Sequence, residues 1–196
     1  MKERGKFIVV YGPNNIGKTT QVNKIVSWLK EEGINASYLK YPVYDLEPTG
    51  PRLNGILRHH TETLPPLETQ KIFAQNRIDY EPILRSRLND GEWVVAEDYK
   101  GTGIAWGMTF GVPKEELEKI NKGLLKEDLA LCMIGERFTS GIERDHLHEQ
   151  CNGWENNKKI HELLAQEKGW VVVDSNGSIE QVHGRIKEAI LENLQK

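Results

Sequence analysis

The apolar residues of this chain recur in two alternating patterns. Short apolar runs rich in β-branched residues, of which Lys6–Tyr11 is the first, are typical of buried strands. Longer stretches with apolar residues three and four positions apart, such as Lys18–Glu31, are typical of amphipathic helices. The full pattern predicts strands at Lys6–Tyr11, Ile34–Tyr41, Trp93–Ala96, Leu129–Ile134 and Trp170–Val173, and helices at Lys18–Glu31, Leu53–Arg58, Leu67–Asn89, Lys114–Leu125, Asn156–Lys168 and Ile179–Leu194.

Strands that alternate with helices predict an α/β fold. Because a helix connects each strand to the next, the strands are expected to run parallel, with helices covering both faces of the sheet. We therefore expect a three-layer arrangement around a parallel sheet of about five strands. The chain contains no internal repeat and no linker, so residues 1–196 are predicted to form one domain.

The composition narrows the functional class. The chain has 196 residues, a formal net charge of −3 and a pI near 6.1, whereas dedicated nucleic-acid-binding proteins usually carry a strong basic excess. Its apolar runs are too short for a membrane-spanning helix, and the run near the N-terminus is too short for a secretory signal. Cys132 and Cys151 lack the spacing of a metal site and are interpreted as reduced thiols. These features favour a cytoplasmic protein that binds small molecules.

The segment between the first strand and the first helix, GPNNIGKT at positions 12–19, fits the phosphate-loop pattern G-x-x-x-x-G-K-[ST]. In such a loop, backbone N–H groups and the helix N-terminus attract nucleotide phosphates. The ammonium group of Lys18 is expected to reach the β- and γ-phosphates, and the hydroxyl of Thr19 to ligate Mg²⁺. The pattern therefore predicts ATP or GTP, with Mg²⁺, at Gly12, Asn14, Asn15, Ile16, Gly17, Lys18, Thr19 and Thr20.

A second acidic feature follows the strand predicted at Trp93–Ala96. The strand ends in Glu97 and Asp98, and carboxylates at such a position commonly face the Mg²⁺ ion of a phosphate-loop enzyme. Strand-end acids also cap loops and form ion pairs. Beside a phosphate loop we interpret Glu97 as a metal-facing group.

Several motifs, in their order along the chain, resemble those of the thymidylate kinases. The resemblance covers almost the whole chain. It implies a P-loop kinase fold with the arginine-bearing lid of that family, placed here at about 137–151. The motifs are GPNNIGKTT at 12–20, Tyr41-Pro42, Thr49-Gly50 through Leu57, FAQNR at 73–77, EDY at 97–99, TGIAW at 102–106 and Gly135-Glu136-Arg137.

This resemblance implies transfer of the γ-phosphoryl group of ATP to dTMP, commonly by a homodimer. It implies that Phe73 stacks on the acceptor base, that Arg77 donates to a thymine carbonyl and that Thr102 touches the base edge. Trp106 would crowd the sugar. The implied catalytic residues are Lys18, Glu97, Asp98, Arg137 and Arg144, with Arg137 also on the ATP side, and the implied acceptor residues are Asn14, Tyr41, Tyr44, Phe73, Arg77, Asp98, Thr102 and Trp106.

Three positions depart from the family pattern, and all surround the acceptor. Asn14 stands where the family has a carboxylate that holds the sugar 3′-hydroxyl. Tyr44 (or Val43, if the loop is one residue shorter) and Asp98 stand where the family has arginines on the acceptor phosphate. The loss of two cations and the gain of a carboxylate would expose a bound phosphate to repulsion.

Three explanations of these departures stay open. Other basic residues, namely Lys40, Arg52 or Lys100, take over the phosphate, and the chain remains a monophosphate kinase. Alternatively, the acceptor is a hydroxyl of a nucleoside or modified pyrimidine, and Asp98 or Glu97 serves as the base that a hydroxyl needs. In the third explanation the protein binds nucleotides with weak or lost kinase activity, or hydrolyses them.

Overall fold

Strand β1 (Phe7–Tyr11) runs through the middle of a five-stranded sheet in the computed structural model, which describes residues 3–140 and 153–194. Its neighbours are β3 (Trp93–Glu97) and β4 (Leu129–Ile134), and the edges are β2 (Ala36–Lys40) and β5 (Val171–Asp174). The order is β2-β3-β1-β4-β5, and every pairing is parallel. The predicted α/β class and parallel sheet are confirmed.

Alternate residues of β1 face two separate hydrophobic cores. Val9 and Tyr11 belong to one core, and Ile8 and Val10 belong to the other, as the two-residue period of a strand requires. Because both faces of the strand are covered, its sequence FIVVY is apolar throughout. The described chain therefore forms three layers, with the sheet between two layers of helices.

The predicted helices are found, with changes at their ends. Helix α3 contains Pro82 without ending there, and α5 ends five residues earlier than predicted, before Gly123, which adopts a φ of 90°. The helices of the described residues are α1 (Lys18–Glu31), α2 (Thr49–Asn54), α3 (Pro66–Asn89), α4 (Lys100–Thr109), α5 (Lys114–Ile120), α6 (Trp154–Lys168) and α7 (Ile179–Leu194).

Two elements next to the site differ from the sequence prediction. The short helix predicted at Leu53–Arg58 is divided into α2 and a π-helical turn, Gly55–His59. Helix α4 was not predicted, because its sequence KGTGIAWGMT contains glycines that disfavour a helix on their own. Tertiary packing requires them: a Cβ on Gly107 would overlap the side chain of Leu117.

The strand order places the carboxyl ends of β1 and β3 side by side. In an open parallel sheet the chain leaves neighbouring strands in different directions at such a point, and a crevice opens there. Val10 of β1 is paired with Glu97 of β3, so the phosphate loop after β1 lies beside the acidic end of β3.

None of the described helices is long and apolar enough to span a membrane.

Candidate active site

The phosphate loop owes its shape to glycine at two positions. Gly12 has a φ of 137°, and a Cβ there would overlap the Met133 carbonyl oxygen. Gly17, with a φ of 91°, leads into α1. The loop is also held from outside, because the indole Nε1 of Trp154 donates to the Asn14 carbonyl oxygen at 2.7 Å. These contacts hold the loop in a concave form that suits phosphates.

Lys18 lies at the base of this loop and is buried. Its Nζ donates to the carbonyl oxygens of Gly12 and Pro13, both at 2.9 Å. The same atom lies 3.7 Å from Oδ1 of Asp98. The ammonium group is thus held inside the loop by oxygen partners, at the place where nucleotide phosphates bind in such loops.

Glu97 lies within reach of the first turn of α1. The hydroxyl of Thr19 donates to Glu97 Oε1 at 2.9 Å, and the hydroxyl of Tyr38 donates to Oε2. Burial acts to raise the pKa of Glu97, but the positive charges of Lys40 and Lys18 and the two hydroxyl hydrogen bonds outweigh it and lower the pKa. Glu97 is therefore ionised near neutral pH, and with Thr19 it offers the hard oxygen donors that Mg²⁺ prefers.

Asp98 follows Glu97 in a different environment. Its backbone has a φ of 64°, an uncommon value for aspartate, and its N–H donates to the Val10 carbonyl oxygen at 3.1 Å. The hydroxyl of Thr102 donates to Asp98 Oδ1 at 2.9 Å. Burial, together with the neighbouring charge of Glu97, raises the pKa of Asp98 despite the proximity of Lys18. The two adjacent carboxylates therefore have pKa values displaced in opposite directions.

A cavity of about 370 Å³ opens from the phosphate loop and runs past the two carboxylates. It extends to the wall formed by α3, α4 and the turn after α2, so a single space connects both ends of the site. The residues that line it are Asn14, Asn15, Gly17, Lys18, Thr19, Thr20, Lys40, Tyr41, Pro42, Tyr44, Leu57, Arg58, Gln70, Phe73, Arg77, Glu97, Asp98, Tyr99, Thr102, Gly103, Trp106 and Phe138.

The end of the cavity away from the phosphate loop carries buried polar atoms. Arg77 Nε donates to Asn121 Oδ1 at 3.1 Å, and burial lowers the pKa of Arg77 to about 10. Within the described residues, neither Arg77 Nη2 nor Gln70 Oε1 has a hydrogen-bond partner. A Cβ on Gly103 would stand 2.9 Å from that nitrogen and 3.1 Å from that oxygen. A donor and an acceptor therefore face the same small space.

The side wall is formed by the loop after β2 and the π-helical turn. Asn76 holds this loop, because its side chain accepts from the Val43 N–H at 2.8 Å and donates to the Val43 carbonyl at 3.0 Å. Its amide also donates to Thr49 at the start of α2, at 3.0 Å. On the wall, the Arg58 guanidinium lies 4.8 Å from the centre of the Tyr44 ring.

Comparison with known proteins identifies the family. The family model described as "Thymidylate kinase" matches residues 10–186, which is most of the chain. The chain belongs to the thymidylate kinase family. The match spans the phosphate loop, the carboxylates at the end of β3 and the FAQNR segment of α3, so the family expectation from the sequence is confirmed.

Individual relatives agree over nearly their whole length. The thymidylate kinase of Plasmodium falciparum is 26% identical, with 96% of this chain and 91% of that protein covered. The human thymidylate kinase is 27% identical, with 94% and 89% covered. The solved thymidylate kinase structure from Candida albicans superposes with a TM-score of 0.83 at 23% identity, over 98% of this chain and 94% of that one. At that identity the superposition confirms the fold.

Among the residues expected from the thymidylate kinase resemblance, most line the cavity. Gly12 and Ile16 do not, and the Ile16 side chain is buried in the core, so these two shape the loop from behind. Arg137 lies outside the cavity, with its guanidinium 5.9 Å from the centre of the Trp154 ring. Arg144 and most of the lid interval 137–151 lie outside the described residues.

Sequence reasoning missed other residues that shape the site. Gln70 stands two helical turns before Arg77 on α3, and this spacing placed it on the same face. Arg58 carried no comparable signal, because its position depends on the π-helical turn. Of the three basic residues considered as substitutes, Lys40 lines the cavity, whereas Arg52 and Lys100 do not.

Proposed function

We propose that this member of the thymidylate kinase family transfers the γ-phosphoryl group of ATP to dTMP. The observation that carries the proposal is the single cavity that joins the phosphate loop to the end lined by Phe73 and Arg77. A kinase must hold donor and acceptor in line in one water-excluded space. The thymidylate kinases of Plasmodium falciparum and human, which the chain matches over almost its whole length, support this choice of reaction.

On the donor side, the backbone of residues 12–19 would cradle the phosphates, and Lys18 would move from the loop carbonyls to the β- and γ-phosphates. Thr19 and Glu97 would hold Mg²⁺, which supplies charge neutralisation at the transferring group when bound. We assign Arg137 and Arg144 to the same charge neutralisation, as the resemblance implies.

On the acceptor side, the contacts favour a pyrimidine with a carbonyl beside an N–H group. Arg77 Nη2 would donate to the 4-carbonyl, and Gln70 Oε1 would accept from the N3–H. Phe73, which packs against Leu53 and Leu57, presents a ring for stacking on the base. Trp106 stacks on Phe110 and would bound the sugar. Cytosine presents the reverse donor and acceptor pattern and would leave both protein atoms unpaired.

The test is a coupled assay of the full chain with ATP and Mg²⁺ over dTMP, dUMP, dCMP and thymidine. We expect dTMP to be used best, dUMP less well and dCMP poorly, and we expect Lys18→Met or chelation of Mg²⁺ to reduce turnover at least about 100-fold. Phosphorylation of thymidine but not of dTMP would instead favour a hydroxyl acceptor with Asp98 as its base. Phosphate release without an acceptor would indicate a hydrolase, and nucleotide binding without turnover would indicate a binding protein.

We also propose a homodimer that works in the cytoplasm. Helix α3 exposes Ile78 and Ile83, which supplies apolar surface for a second copy. The cytoplasmic location is supported by Cys132, which is a buried free thiol. Burial raises the pKa of this thiol to about 12, so the thiol stays protonated and unreactive. Light scattering would test the dimer, and a monomer at micromolar concentration would refute it.

A further inference from the structure

The phosphate loop contains one residue, Asn15, with an uncommon backbone conformation. Its φ is 60°, in the left-handed region that residues other than glycine seldom occupy. Turns that use this region can direct successive N–H groups toward one point and so form concavities that bind anions. The peptide groups on either side of Asn15 must therefore keep their orientation if the loop is to receive phosphates.

Both of these peptide groups are held by hydrogen bonds from outside the loop. The indole Nε1 of Trp154 donates to the Asn14 carbonyl oxygen at 2.7 Å, and the N–H of Phe138 donates to the Asn15 carbonyl oxygen at 2.8 Å. The peptide bond between Asn14 and Asn15 is trans, so its C=O and N–H point in opposite directions. The Asn15 N–H therefore points away from Trp154, which does not line the cavity, whereas Asn14 and Asn15 both line it.

The indole donor is fixed by its own surroundings. Trp154 is the first residue of α6, is 6% exposed and belongs to the hydrophobic core on one face of the sheet. Helix α6 is joined to α4, because the Asn157 amide donates to the Thr109 hydroxyl oxygen at 3.0 Å. The guanidinium of Arg137 and the ammonium group of Lys158 each lie 5.9 Å from the centre of an indole ring face. These contacts fix the position of the indole N–H.

We propose that Trp154 is a positioning residue for the donor nucleotide. Its indole N–H sets the orientation of the Asn14–Asn15 peptide, so that the Asn15 N–H is directed at a phosphate oxygen of ATP. This assignment rests on the proposed function, since it takes ATP as the ligand of the phosphate loop. Phenylalanine at position 154 would keep an aromatic ring in the core but would remove the donor to the Asn14 carbonyl. The loop would then lose part of the order that it has before the nucleotide binds.

The experiment compares the MgATP affinity of Trp154→Phe with that of a matched control, by calorimetric titration of the full-length protein. The control is Trp28→Phe. Trp28 is 7% exposed, its ring faces Lys187 Nζ at 4.8 Å, and its Nε1 donates to Glu32 Oε1 at 3.1 Å, at the end of α1 away from the loop. We expect Trp154→Phe to weaken MgATP binding about 2- to 12-fold, the factor for one neutral hydrogen bond, and Trp28→Phe to change it less than about 1.5-fold.

Adenosine, which lacks phosphates, separates an effect on the phosphate loop from an effect on the base. Measured by displacement of a fluorescent ADP derivative, adenosine should bind wild type and Trp154→Phe within about 1.5-fold of each other. Equal weakening of MgATP and adenosine would overturn the assignment. If wild type binds MgATP and Trp154→Phe binds it equally well, only the role of Trp154 is refuted. If wild type does not bind MgATP, the proposed function itself fails.

A measurement on the wild type decides the case if Trp154→Phe does not fold. A bond that favours nucleotide binding is in turn favoured by the bound nucleotide. In protein that is isotope-labelled at the indole nitrogens, MgADP should therefore slow the hydrogen exchange of the Trp154 indole N–H more than that of Trp28. Equal slowing at both indoles would reflect general stabilisation by the ligand and would overturn the assignment.

Discussion

The buried amide of Gln70 should lower stability while it raises selectivity, and Gln70→Leu separates the two effects. Gln70 is 2% exposed, and its Oε1 lacks a hydrogen-bond partner within the described residues. A buried polar atom without a partner costs about 1–3 kcal/mol, whereas a leucine of similar size has no such atom. We therefore expect the variant to gain about 1 kcal/mol in the free energy of unfolding, which is roughly 2–4 °C in melting temperature at this chain length.

The same change removes the acceptor proposed for the N3–H of thymine. With that N–H buried and unpaired, kcat/KM for dTMP should fall about 5- to 150-fold, from the same range of about 1–3 kcal/mol. The assays are thermal unfolding of the free protein and coupled turnover with dTMP. The control is Gln75→Leu, which changes an exposed glutamine of the same helix and should alter turnover less than about twofold. A lower melting temperature with unchanged turnover would refute the reasoning, because Gln70 would then be a core residue with partners of its own.

Three other changes test separate parts of the site. Gly103→Ala should raise the KM for dTMP at least about 10-fold with ATP affinity unchanged, because its Cβ would stand 2.9 Å from Arg77 Nη2, and an unaltered KM would contradict this placement. Asp98→Asn should melt at a higher temperature than wild type at pH 7. Burial raises the pKa of Asp98 in the folded protein above the ordinary aspartate value. Ionisation of Asp98 therefore lowers the stability of the wild type as the pH rises above that value. The higher melting temperature of Asp98→Asn should vanish below about pH 4, where the carboxyl group is protonated in both the folded and the unfolded state. Asn76→Leu should lower the free energy of unfolding by about 2–4 kcal/mol in a denaturant titration, since it removes three hydrogen bonds that include both polar groups of Val43, and a loss below about 1 kcal/mol would contradict that role.

The donor half of the site was predictable because its chemistry lies in one short segment. The phosphate loop is contiguous from Gly12 to Thr19, and its glycines are required by the backbone angles that the structure shows. The strand that precedes it and the helix that follows are both strongly patterned. Even the contact with Glu97 followed from topology, because parallel strands bring their carboxyl ends to one edge of the sheet.

The acceptor half was only partly predictable, because it is assembled from elements that pack through glycine and buried amides. Helix α4 is stabilised by its neighbours and not by its own propensity, so its local sequence predicted no helix. Asn76 joins the loop after β2 to α3 and α2, and such a junction leaves no periodic signal. The resemblance to the thymidylate kinases implied Phe73 and Arg77, while the partners that surround them became visible only in the packed fold.

Two of the three departures from the family pattern, Asp98 and Tyr44, are better understood together than one at a time. Asp98 adds a carboxylate beside the cavity, but its raised pKa, the Thr102 hydroxyl and the nearby Lys18 reduce the charge it presents to a ligand. Tyr44 removes a cation from its own position but offers a ring to Arg58. Charges counted along the motifs therefore do not by themselves give the charge of the folded wall, where the guanidinium groups of Arg58 and Arg77 both line the cavity.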